Sequence, residues 1–143
     1  MGKKRIIEKS GGEMNLENTK KPVKGAKKKY SAGILSVHAT YNNTKATVSN
    51  PKGGTLAWSS CGSLGFRGAK KGTPFAAAKV GEILAEKAVI YGMKDVHVVV
   101  KGVGSGRESA IRGFTSKGIN ILSIKDKTPV PHNGPKAPKP RRV

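Results

Sequence analysis

The segment "DVHVVVK", residues 95–101, constrains this chain most. Its apolar run is nearly continuous, and its β-branched residues favour a strand. Such a run is expected in the middle of a sheet covered on both faces. Three glycines follow at alternate positions, Gly102, Gly104 and Gly106. Next comes a helical segment, "GRESAIRGFTSKG" (106–118), which Gly118 should end, and then a strand, "INILSIK" (119–125). A strand, a helix and a second strand joined so closely call for parallel pairing and a right-handed crossover.

The preceding residues complete the sheet. "GILSVHAT" (33–40) and "TKATVSN" (44–50) alternate apolar and polar, with "YNN" turning between them. "NPKGG" (50–54) is a second turn and "TLAWSS" (55–60) a third strand. Turns this short predict an antiparallel meander. "TPFAAAKVGEILAEKAVIYG" (73–92) reads as a helix, with Thr73 as its cap, Pro74 at its first position and Gly92 at its stop. Val80, Ile83, Leu84 and Ala88 form its expected buried stripe. The order β-β-β-α-β-α-β predicts an α/β domain over 31–126: a mixed five-stranded sheet with helices on its faces.

Charge then bounds the function. The 143 residues carry 28 basic and 8 acidic side chains, a net charge of +20. Residues 1–30 hold ten basic and three acidic residues and read as a disordered arm. Residues 127–143 read as an extended basic tail, because "PHNGPKAPKPRRV" holds four prolines and cannot be helical. Like charges at this density repel and make most sense against a polyanion. No apolar run approaches the ~18 residues of a membrane span. One cysteine, Cys61, permits no disulfide framework and reads as a small loop residue. A cytoplasmic protein is expected.

Glycines between a strand and a helix raise the question of a phosphate site. A dinucleotide fingerprint needs G-x-G-x-x-G, and here the third glycine is displaced by one residue and followed by Arg107. Asp126 lies where a ribose-binding acid would sit, but the spacing excludes the site. Ser105 and Glu108 have the spacing of a capping box. Gly102, Gly104, Gly106, Arg107 and Arg112 are left for phosphate contact at a helix start. "GFRGAKKGTP" (65–74) puts Arg67, Lys70 and Lys71 on a second glycine-rich loop, before the helix that Thr73 caps. "YNNT" offers Asn42, Asn43 and Thr44 at a hairpin tip.

Catalysis finds no support. The few carboxylates of the folded part, none on the first strand, do not form a two-metal cluster. His38, His97 and His132 are scattered, with no evident Ser or Cys partner. Trp58 and the other aromatics show no stacking-platform pattern, which argues against a single-strand-binding surface. No cofactor or small-molecule substrate is expected. A general basic DNA-binding or chromatin-like protein is the competing class.

Taken together, "NNT", "GFRGAKKGTPFAA", "VKGVGSGRES" and "TPVPHNGPKAPKPRRV" closely resemble the universal small-subunit ribosomal protein family numbered eleven, in its bacterial form. The resemblance covers about residues 31–143. It implies a ribonuclease-H-like topology without nuclease activity. It also implies binding to small-subunit ribosomal RNA on the platform, joining several RNA helices and lining the messenger exit region where the Shine-Dalgarno duplex sits. Implied neighbours are small-subunit proteins seven and eighteen, with mRNA and initiation factor three close by. By position, the contacts would come from Asn42–Thr44, from Arg67, Lys70 and Lys71, and from the Gly102–Arg107 loop. The tail from Thr128 to Arg142 would thread between RNA helices, bringing His132, Asn133, Gly134, Lys136, Lys139, Arg141 and Arg142. Val103 and Ser105 stand where bacterial members usually carry proline. Asn133 precedes Gly134, a pair prone to succinimide chemistry because glycine offers no steric bar.

Overall fold

The computed structural model of the chain describes residues 28–142. The elements follow the expected order: β1 (Ala32–Ala39), β2 (Thr44–Ser49), β3 (Thr55–Ser60), α1 (Pro74–Ile90), β4 (Asp95–Lys101), α2 (Gly106–Thr115) and β5 (Asn120–Asp126). Two short 3-10 turns, Gly62–Leu64 and Gly68–Gly72, occupy the loop before α1. The sheet order is β3-β2-β1-β4-β5. Strand β2 is antiparallel to both neighbours, while β4 runs parallel to β1 and β5. This mixed order agrees with the ribonuclease-H-like topology the resemblance implies.

Local chemistry explains the ends of the helices. Thr73 Oγ1 accepts from the Ala76 N–H, and Pro74 follows it. Gly92 and Gly118 have φ of 76° and 80°, beyond the ends of α1 and α2. Val80, Leu84 and Ala88 are buried as expected, whereas Ile83 is only half-buried. Ala76, Ala77, Gly81 and Ala85 complete the stripe.

Strand β4 is an interior strand, as its apolar run predicts, but among the described residues the helices cover only one face of the sheet. Connections β3–α1–β4 and β4–α2–β5 step in the same direction along the sheet. Right-handed crossovers in one direction place both helices on one side. The helices cross closely because Gly81 of α1 faces the Ala110 carbonyl, and Gly113 of α2 faces the Ala78 carbonyl. Leu35, Val37, Val48, Val96, Val98 and Val100 meet Val80, Leu84 and Phe114 in one core. On the other face His97 and Lys101 are exposed and Val99 is half-buried. Valine at 99 thus serves a strand's conformational preference more than a core.

Cys61 stands on the loop directly after β3, as expected, with its side chain fully buried in the core, and burial pushes its thiol pKa up. The expected N-terminal arm lies outside the described residues except for 28–30. There the Tyr30 N–H donates to the Tyr91 carbonyl. Residues 129–142 are exposed throughout and contain no helix or strand.

Candidate nucleic-acid interface

Three loops that are distant in sequence meet beyond the ends of β1 and β4. The 40–43 turn is held by Thr40, whose Oγ1 accepts from the Asn43 N–H and donates to the Asn43 carbonyl. The 102–106 loop folds against it, with the Gly104 N–H donating to the Ala39 carbonyl at 2.9 Å. Ser105 Oγ donates to the Gly72 carbonyl at 2.8 Å, tying in the loop before α1. Ser105 therefore makes a link between loops and not the expected capping box. Its side chain caps nothing, and Glu108 instead lies 3.5 Å from Arg112.

This packing accounts for the alternate glycines. A Cβ on Gly102 or Gly104 would strike the carbonyl of Ala39 or Thr40. On Gly106 it would meet the Thr44 hydroxyl, and on Gly72 the Tyr41 carbonyl. Gly102 also has φ of 93°, a conformation costly for other residues. The close approach the glycines permit is to the protein's own backbone. Thr44, Gly104 and Gly106 are buried and lie beneath the rim instead of on it. Asn42 is exposed at the tip and Asn43 half-buried.

Arg67, Gly68 and Lys70 are exposed, with Lys71 and Thr73 half-buried beside them. Phe66 anchors this loop, its ring edge-on to Phe75 with centroids 6.2 Å apart. None of Arg67, Lys70 and Lys71 has an acidic partner among the described residues, whose ion pairs lie elsewhere. The rim thus presents fixed cations without counter-charges.

Arg107 is different. Its guanidinium donates to the Gly102 carbonyl, to Thr128 Oγ1 and to Asp126. Asp126 in turn accepts from the N–H and hydroxyl of Thr128. The Arg107 hydrogen bond, aided by those from Thr128, holds the Asp126 carboxyl well below the usual carboxylate range. This clasp joins the 102–107 loop to the root of the tail and leaves Arg107 largely neutralised. The Asp-x-Thr spacing at 126–128 was the signal for it. Beyond the clasp, His132, Asn133, Gly134, Lys136, Lys139, Arg141 and Arg142 are all exposed and away from the rim residues in sequence and secondary structure. Asn133 has φ of 55°.

One histidine has a partner that the sequence conceals. His97 Nδ1 lies 2.7 Å from Ser123 Oγ, because parallel pairing of β4 and β5 places them opposite each other. Among the described residues no carboxylate hydrogen-bonds this histidine, and no metal-ligating group of three or more His, Cys, Asp or Glu occurs.

Known proteins resemble the chain over most of its length. The ribosomal protein S11 family matches residues 33–142. "Small ribosomal subunit protein uS11" of Solibacter usitatus is 50% identical over 133 residues, covering 87% of this chain and 98% of that protein. "Small ribosomal subunit protein uS11c" of Oltmannsiellopsis viridis is 48% identical over 127 residues, covering 89% and 98%. The chain belongs to the ribosomal protein S11 family and is a structural, non-enzymatic constituent of the small ribosomal subunit.

Proposed function

We propose that the chain binds small-subunit ribosomal RNA on the platform with two devices: the three-loop rim and the basic tail. The observation that carries this reading is the rim, where Arg67, Lys70 and Lys71 stand without acidic partners among the described residues, on a loop already tied to its neighbour by protein contacts. Phosphates and 2′-hydroxyls spread over an RNA surface suit such a patch. Asn42 and Asn43 add amides at its edge. The proline-rich tail stays extended by itself, so docking Lys136, Lys139, Arg141 and Arg142 between RNA helices costs less ordering entropy. Arg112, whose one ion pair among the described residues is with Glu108 at the surface, can exchange that partner for a phosphate. In this reading the protein joins several RNA helices in the cytoplasmic ribosome. It helps form the mRNA exit and Shine-Dalgarno cleft, beside small-subunit proteins seven and eighteen and near initiation factor three.

Filter binding tests the reading. The full chain is titrated with a small-subunit rRNA platform fragment, duplex DNA and unrelated RNA at several salt concentrations. Saturable binding to the platform fragment alone, weakened by Arg67→Ala, is expected. Equal binding to every polyanion, vanishing together as salt rises, would leave only net charge at work and favour the chromatin-like alternative.

A further inference from the structure

The uncovered face of the sheet has a pattern of its own. Register places Lys45 of β2, His38 of β1 and Lys101 of β4 side by side in one row across the strands. The next row reads Trp58, Thr47, Ser36, Val99 and Lys125, from β3 to β5. All the charged residues in these two rows are basic. Lys45, His38, Lys101, Ser36 and Lys125 are exposed, and Trp58 is 62% exposed on the edge strand. Asp95, the acid on the same face of β4, stands six residues from Lys101, about 20 Å along the strand. The basic end is continuous with the rim, because β1 and β4 run directly into the 40–43 and 102–106 loops.

Solvation alone suits the lysines but not a large indole left in water beside them. A polar, basic sheet face with one exposed aromatic suits an RNA segment whose phosphates meet the lysines while a base stacks on the ring. Adjacent strands lie about 4.8 Å apart, so Lys45 and Lys101 are about 10 Å apart across the sheet, within reach of one RNA strand. The chain's own N-terminal arm is a poor occupant, since residues 1–30 carry ten basic and three acidic residues. We propose that this open face is a second RNA-binding surface, which takes an unpaired stretch of small-subunit rRNA with a base stacked on Trp58. The proposal rests on the rRNA-binding reading above and adds a site to it. The aromatic spacing hides this surface, because a single tryptophan forms a platform only where strand pairing sets lysines and a histidine beside it.

Trp58 is the only tryptophan of the chain, so its fluorescence reports on this face. The full chain is titrated with the platform rRNA fragment while emission excited near 295 nm and filter binding are followed together. Quenching of Trp58 that saturates with binding, and protection of Trp58 from acrylamide, are expected. Lys45→Ala with Lys101→Ala should weaken binding and lower the salt slope by about 1.4, as for two single-strand phosphate contacts. Trp58→Ala should weaken it about tenfold. An Arg67→Ala, Lys70→Ala variant should lose affinity yet keep full quenching at saturation. Saturable rRNA binding with unchanged Trp58 emission would overturn the open-face site alone. Absence of saturable rRNA binding would overturn it together with the rRNA reading. Emission that changes on removing residues 1–27, or with protein concentration, would put the arm or a second copy on this face and would also overturn it. Circular dichroism of each variant separates these results from misfolding.

Discussion

The rim and the tail carry the same charge on opposite kinds of backbone. In the rim, Arg67 and Lys70 sit on loops whose path is fixed by Ser105, Gly72, Phe66 and the glycines of 102–106. In the tail, Lys136, Lys139, Arg141 and Arg142 sit on a chain that is exposed along its whole length. The rim therefore exists before any ligand arrives, while the tail has, among the described residues, no contacts of its own to fix its path and, in the proposed reading, takes it from the RNA. Folding and recognition are coupled in the rim and separable in the tail.

The sharpest way to break this contrast is to damage the rim backbone. Gly102→Val combines a positive-φ penalty with a clash against the Ala39 carbonyl. It should cost about 3 kcal/mol in urea unfolding. Binding should suffer with it, and an unchanged unfolding midpoint would refute the packing account. Deleting residues 129–143 should do the reverse. Thermal stability should stay within about 1 °C, while the salt slope of rRNA binding falls by about 3, for the loss of four basic residues. A tail deletion that lowered stability would show contacts to the domain and end the distinction.

The clasp at Arg107 sits between the two regions, and pH tests it. Asp126 has its folded pKa depressed, so its stabilisation is present above the unfolded carboxylate value of about 3.9 and is lost as pH falls below it. Asp126→Asn should therefore flatten the acid side of the stability profile and change little at pH 7 beyond loss of the clasp. It should also raise proteolytic nicking near Lys127. Equal acid sensitivity of the variant and the unaltered protein would count against the clasp. The smallest effect belongs to Arg112 and Glu108, both highly exposed. Glu108→Ala should change stability by less than about 0.5 kcal/mol.

The strands and helices were legible because their signals are local: alternation in 33–50, Thr73 with Pro74, and Gly92 and Gly118 at helix stops. Cover on a single face was not legible. The valines of 96–100 look alike, and only the direction of two crossovers decides which of them meet helices. The meaning of the alternate glycines was hidden for a related reason. Gly104 and Gly106 meet residues some sixty positions earlier, and no spacing within 98–110 records that. The exposure of Arg67 and Lys70 follows from their own glycine-rich loop, whereas the burial of Thr44 does not, because the chain turns inward one residue after Asn43. The His97–Ser123 pair depends on register across β4 and β5, including a shift at Val96/His97 that local sequence does not mark.

The pairing of β1 with β4 has a consequence for synthesis. Ala32 meets Asp95 and His38 meets Lys101, so the centre of the sheet closes a loop of about sixty residues, a slow, non-local step. A nascent chain can form the β1–β3 meander early, but the apolar side of that meander waits for α1 and for the strand that completes its middle. During that interval a highly cationic, partly folded chain sits beside RNA with its apolar side open, a state prone to aggregation. Translation speed through residues 61–101 should therefore govern the soluble yield of this protein more than the speed through either terminus.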